Sequence, residues 1–191
     1  MSEPVYKRIL LKVSGESMCL PDSSGVDSDA VSALVDEISP LVDLGVEIVM
    51  VVGGGNLIRS RQLMEDPNIK RTTADQMGML GTIINGLGLC DALNGRGLPA
   101  RVLSAVHMPT LCETYTIKEA QKQLAKGRIV ISAGGTGNPF FTTDTCSSLR
   151  ASELGVEAFV KATKVDGVFD SDPMLNPKAV RYDKLTYAKA L

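Results

Sequence analysis

A chain of 191 residues is long enough for one domain that hides roughly 70% of its unfolded surface. A formal charge of −2 with 22% charged residues leaves no nucleic-acid footprint, and four scattered cysteines with one histidine write neither a zinc site nor a disulfide framework. The N-terminus has no apolar stretch behind it and no run approaches the ~20 apolar residues of a membrane helix, so a soluble, cytoplasmic protein in a reducing compartment is expected.

Tyr6 to Val13 reads as a buried apolar strand, followed by a polar loop from Ser14 to Val26. Asp27 or Ser28 caps a helix over 29–44, in which Val31, Leu34, Val35, Ile38, Leu41 and Val42 recur at helical spacing. Pro40 should kink its last turn and Gly45 should stop it. Glu47 to Val52 is a second strand. A long helix over 72–94 carries Gly78, Gly81, Gly86 and Gly88, each costing roughly 1 kcal/mol against alanine. Close approach of a second helix offsets that, and a subunit interface is favoured over internal packing. Strands at 100–103, 129–133 and 158–162 alternate with helices at 118–126 and after Thr142. The pattern predicts one α/β domain over 1–191, a parallel-rich open sheet with helices on both faces. Ligands of such sheets collect at the carboxyl ends of the strands.

Three glycine turns fall at such ends: Lys12-Val13-Ser14-Gly15, Gly53-Gly54-Gly55-Asn56, and the run from Ser132 to Asp144. In the last, Gly134, Gly135 and Gly137 can take backbone angles closed to other residues, so their N–H groups can converge on an anion. Thr142 and Thr143 can start a helix whose positive end faces it. Three turns point to a site for more than one phosphate group. The second turn breaks the G-x-G-x-x-G spacing, and no G-x-x-x-x-G-K-[ST] occurs, so neither the dinucleotide fingerprint nor the P-loop applies. With no Cys-His or Ser-His system suggested, phosphoryl transfer remains, in which positioned cations and backbone dipoles supply most of the catalysis. Lys12 and Lys161 are point charges suited to phosphate oxygens, Arg59 offers a fork, and Asp144 orients a lysine or holds Mg²⁺. Plainer roles stay open. Asp75 opens a helix and suits its dipole, Arg59 suits an exposed helix face, Lys161 a solvated strand end, Thr142 a cap, and Phe140 and Phe141 core positions under the loop. His107 reads as a loop residue without a catalytic part.

Tyr6 to Glu16, Gly53 to Arg59, Asp75 to Leu80, Thr136 to Asp144 and Lys161 to Phe169 together resemble the bacterial uridylate kinases of the amino-acid-kinase superfamily, over the whole chain and in order. The resemblance implies the amino-acid-kinase fold and ATP-dependent conversion of UMP to UDP within pyrimidine nucleotide biosynthesis, with Mg²⁺ accompanying ATP, in a homohexamer open to UTP inhibition and GTP control. Carried over by position, Lys12, Val13, Ser14, Gly15, Gly55 and Arg59 hold the transferring phosphates, and Thr163, Phe169 and Asp172 contact ATP. Gly54, Asp75, Thr136, Gly137, Asn138, Pro139, Phe140, Phe141, Thr142 and Thr143 surround UMP. Lys12, Arg59, Asp144 and Lys161 form the catalytic set, and no protein-built metal site is implied. Uracil offers a donor and an acceptor where cytosine offers the reverse, so a buried polar site can separate them by roughly 10⁴-fold. Leu20 to Gly25 lacks the glycine-rich character of the family's regulatory loop, which argues against GTP activation, although Arg101 and Arg128 match positions associated with that effector. Ser60 replaces a common glycine. Relatives continue past the position of Leu191 with a helix and final strands, so a C-terminal part is expected to be missing. The alternatives are a kinase of the same fold acting on a carboxylate or carbamate, and a non-catalytic subunit or fragment that binds uridine nucleotides.

Overall fold

A computed structural model of the chain describes residues 3–58, 63, 66–163 and 165–190. They fall into two compact units, Met1–Lys161 and Ala162–Leu191. The strands of the first unit are β1 (Arg8–Val13), β2 (Glu47–Val52), β3 (Ala100–Ser104), β4 (Glu113–Thr114), β5 (Ile129–Ala133) and β6 (Ala158–Lys161). They form one parallel sheet in the order β4-β3-β5-β2-β1-β6. The helices are α1 (Ser28–Asp43), α2 (Arg71–Gly95), α3 (Ile117–Leu124) and α4 (Thr143–Leu154).

The sheet is parallel because its strands are apolar on both sides, and only helices on both faces can cover such strands. In β2, Ile48, Met50 and Val52 join the core built with α1 and α2, while Val49 and Val51 join a second core with Ala120 and Leu124 of α3 and Cys146 and Leu154 of α4. Helix α1 buries Val31, Leu34, Val35 and Ile38, as its spacing predicts. Asp27 Oδ1 accepts the Asp29 and Ala30 N–H groups at its start, the helix runs through Pro40, and Gly45 at φ +75° follows its end. Thr116 caps α3 by accepting the Glu119 N–H at 3.1 Å.

Four expectations need correction. The first strand begins at Arg8, because Val5 and Tyr6 are exposed whereas Arg8 pairs with Glu47 across the sheet, Nε to Oε2 at 2.6 Å. The loop after β1 contains a 3₁₀ turn, Gly15–Met18, that drives Met18 fully into the core. A short edge strand, β4, was not anticipated. Two of the α2 glycines serve close approach within the chain: a Cβ at Gly81 would stand 3.2 Å from Gly54 O, and one at Gly86 would stand 3.4 Å from Ala133 Cβ. Internal packing therefore accounts for these two without a subunit interface. At the other edge, β6 leaves Phe159 and Val160 partly exposed.

The second unit is built on an antiparallel bridge between Phe169 and Arg181. The Asp170 N–H donates to Val180 O at 3.0 Å and the Tyr182 N–H to Val168 O at 2.8 Å. A short helix, α5 (Tyr187–Ala190), follows.

Candidate active site

The three strands that end in glycine turns are neighbours in the parallel sheet, β5-β2-β1, so the turns emerge side by side at one edge. They also touch. The Gly53 N–H donates to Val13 O at 2.9 Å, and a Cβ at Gly15 would lie 2.8 Å from Gly53 O. A Cβ at Gly54 would lie 2.8 Å from Gly78 O and 2.9 Å from Thr82 N, so the second turn rests on the backbone of α2. Thr82 Oγ1 in turn accepts the Gly134 N–H of the third turn at 2.8 Å. Gly55 faces open space, beside a cleft of about 710 Å³ that Ser23, Ser24, Asn56, Leu57 and Met77 help to line.

Two lysines meet over one carboxylate at this edge. Lys12 of β1 and Lys161 of β6 are register partners and point to the same side. Thr142 caps α4, its Oγ1 accepting the Thr145 N–H at 3.2 Å, which sets Asp144 in the first turn. Lys12 Nζ lies 3.3 Å from Asp144 Oδ1, and Lys161 Nζ donates to Oδ2 at 2.7 Å. The Lys12 side chain is only 11% exposed, against 48% for Lys161 and 47% for Asp144. Burial pushes the Asp144 carboxyl up, but the Lys161 hydrogen bond and the Lys12 charge outweigh it and hold the group below the usual carboxylate range. One carboxylate between two ammonium groups leaves net positive charge, which suits the oxygens of a phosphoryl group. Among the described residues no three His, Cys, Asp or Glu side chains converge as metal ligands. Asp144 bridges the two ammonium groups.

The loop from Thr136 to Thr143 is held from across the site. Asp75 lies in the second turn of α2, whose N-cap is Lys70, so the reading of a charge at the helix start does not hold. Its carboxylate, 15% exposed, accepts from Arg71 Nε at 3.3 Å and from the Phe140 N–H at 2.8 Å. Phe140 adopts φ +71°, rare for a bulky side chain, with the Arg71 guanidinium 5.6 Å from its ring centroid. Phe140 is 61% and Phe141 57% exposed, which rules out the core-anchor reading for both. Thr136 Oγ1 and the Asn138 backbone close a local turn, with Gly137 at φ +79° and Pro139 half-buried.

Arg59 lies outside the described residues. Thr163, Phe169 and Asp172 belong to the second unit and bond locally there: the Thr163 hydroxyl donates to Val165 O, and Asp172 Oδ1 accepts the Met174 N–H at 2.9 Å. Other residues at the site went unnoticed in the sequence. Asn85 is fully buried and donates to Gly53 O and to Asn56 Oδ1, each at 2.7 Å. Asn56 Nδ2 returns a bond to Asn85 Oδ1 at 3.1 Å and donates to Gly25 O at 2.6 Å. Thr82, Asn85 and Arg150 are polar residues on core-facing helix positions, and that mismatch is the signal that could have found them.

An open parallel sheet whose adjacent strand ends present glycine turns and a lysine pair defines an α/β protein built to hold phosphorylated ligands. The chain belongs to the amino acid kinase family, whose family model matches residues 7–191. Among curated proteins it is similar to the uridylate kinase of Methylococcus capsulatus, 49% identical over the whole chain and 80% of that protein. It is also 50% identical to the uridylate kinase of a Sulfurovum species, over 97% of the chain and 79% of the relative. Among solved structures it is similar to the UMP kinase of Bacillus anthracis, with a TM-score of 0.88 and 40% identity over 93% of this chain and 73% of that one. The UMP kinase of Ureaplasma parvum gives a TM-score of 0.89 at 37% identity, over 96% and 78% of the two chains.

Proposed function

We infer that the protein is a nucleoside monophosphate kinase that transfers the γ-phosphoryl group of ATP to UMP, giving UDP and ADP. The observation that carries the reading is the Lys12–Asp144–Lys161 cluster at the edge where three glycine turns meet. Uridylate kinase relatives matched over the full chain support the choice of substrate. Lys12 and Lys161 neutralise charge that builds on the bridging and equatorial oxygens, and Asp144 keeps both ammonium groups in place. The segment Val13, Ser14 and Gly15 and the backbone of Gly55 surround the transferring phosphates, Arg59 clamps them, and Thr163, Phe169 and Asp172 contact the ATP nucleoside. Gly54, Asp75 and the Thr136 to Thr143 loop take UMP. No strong base is required, because the attacking phosphate oxygen is already anionic at neutral pH.

ATP is the co-substrate and brings Mg²⁺ on its own phosphates, which fits a metal that keeps several waters and few protein ligands. The chain works as one kinase domain in the cytoplasm, in pyrimidine nucleotide synthesis, under UTP inhibition. Leu80 and Ile84, apolar and 45% and 52% exposed on α2, support assembly with further copies into a hexamer. A coupled assay of ADP release tests the reading. UMP is expected to drive turnover, with CMP slower by roughly 10⁴-fold. Binding of UMP without ADP release would instead favour a non-catalytic subunit, and equal turnover of CMP would refute the account of base choice.

A further inference from the structure

We propose that Thr82 and Arg150 are positioning residues for the acceptor nucleotide, a role that rests on the assignment of the Thr136 to Thr143 loop to UMP. The two side chains come from different helices and hold the Gly134–Gly135 dipeptide at opposite ends. The Gly134 N–H donates to Thr82 Oγ1 at 2.8 Å. Gly135 O accepts from Arg150 Nη2 at 3.3 Å. Both glycines sit in the left-handed region, at φ +73° and +57°, so the chain turns sharply here and a small rotation would swing everything that follows.

Both side chains are almost fully buried, Thr82 at 3% and Arg150 at 5% exposure, and each is an expensive choice for its position. The guanidinium needs Glu153, whose Oε2 takes Arg150 Nη1 and the Tyr115 hydroxyl, both at 2.8 Å. It also stacks on the Tyr115 ring, 3.8 Å from the centroid. Even so, Nε has no partner among the described residues. An apolar residue in its place would avoid the desolvation cost. What the guanidinium does that an apolar side chain cannot is hold the Gly135 carbonyl. Thr82 follows the same logic: a valine would fill its volume, and only the hydroxyl can both donate to Met79 O, at 2.7 Å, and accept the Gly134 N–H.

Thr82 shares α2 with Asp75, about two turns away. One rigid helix therefore accepts an N–H from Gly134 at one end of the loop and from Phe140 near the other. The span of the loop is set by the helix, and Arg150 fixes its rotation at the base. Slack at Gly134 would let residues 136–143 drift from the arrangement that takes the acceptor nucleotide, so ordering them again on binding weakens the hold on UMP.

The test compares Thr82→Val, Thr82→Ser and Arg150→Met in steady-state kinetics, varying UMP at saturating ATP and then ATP at saturating UMP. Thr82→Val and Arg150→Met are each expected to raise KM for UMP by roughly tenfold while KM for ATP stays within about twofold, and Thr82→Ser restores the wild-type value. If wild-type enzyme phosphorylates UMP but both KM values move together in the variants, or neither moves, the positioning role is overturned while the acceptor-loop reading stands. A wild-type protein that turns over no UMP overturns that reading and the proposal with it. Should Thr82→Val fail to fold, Arg150→Met decides by the same pair of KM values.

Discussion

A methyl group added at Gly54 would stand 2.8 Å from Gly78 O and 2.9 Å from Thr82 N, both main-chain atoms of α2. Neither can rotate away, so the turn and the helix must separate by roughly 0.5 Å to regain ordinary contact. Overpacking of this kind costs about 1–3 kcal/mol. At roughly 2–4 °C per kcal/mol for a chain of this size, Gly54→Ala lowers Tm by about 2–12 °C. Gly81→Ala meets Gly54 O from the other side at 3.2 Å and loses less. Gly55→Ala meets nothing within 4 Å, so it keeps its Tm or gains slightly from the reduced freedom of the unfolded chain. The cradle role proposed for Gly55 nevertheless predicts a lower kcat/KM for that variant. Scanning calorimetry with steady-state kinetics on the three variants separates the effects, with Tm rising in the order Gly54→Ala, Gly81→Ala, Gly55→Ala. A Gly54→Ala variant as stable as wild type, or a Gly55→Ala variant that loses as much Tm, would show that these contacts do not govern the turn.

Other outcomes follow from the lysine cluster and the acceptor loop. Lys12→Ala should cost about 3 kcal/mol of transition-state stabilisation, on the order of 10²-fold or more in kcat; a change confined to KM contradicts its role at the transferring group. Because the Asp144 carboxyl titrates below its unfolded value, its contribution to stability is present above pH ~4 and is lost as pH falls through the folded value. The Tm gap between wild type and Asp144→Asn is thus wide at neutral pH and closes in acid, and a gap that stays constant down to acid pH would show that the ion pairs contribute nothing. Phe140→Gly removes a strained backbone conformation worth about 1–3 kcal/mol from a side chain 61% exposed. Its Tm should hold or rise, and a clear fall in calorimetry would mean that the ring packs.

The sheet and its helices were legible because their cause is local. Apolar runs such as Glu47–Val52 bounded by glycine, and the stripe of α1, carry their period on their face. The lysine pair was legible in part, since Lys12 lies one residue before the end of β1 at a glycine turn and Lys161 ends the apolar strand β6. Other features depend on contacts between residues far apart in the chain. Nothing near Gly81 announces that Gly54 will lie against it, and the choice between internal packing and a subunit interface needed the fold. The exposure of Phe140 and Phe141 was equally hidden, because two adjacent aromatics in a loop look the same whether they point inward or outward. The 3₁₀ turn that buries Met18 was lost in a segment whose composition is that of a loop.

Asn56 and Asn85 exchange hydrogen bonds in both directions, each amide being donor and acceptor to its twin. Such symmetry is brittle under drift. Aspartate at either place sets oxygen against oxygen, and an aliphatic side chain at either place leaves the surviving buried amide short of a partner. Sequence change here must therefore come as a matched double step, and lineages that descend from this ancestor should either keep both asparagines or have replaced both together.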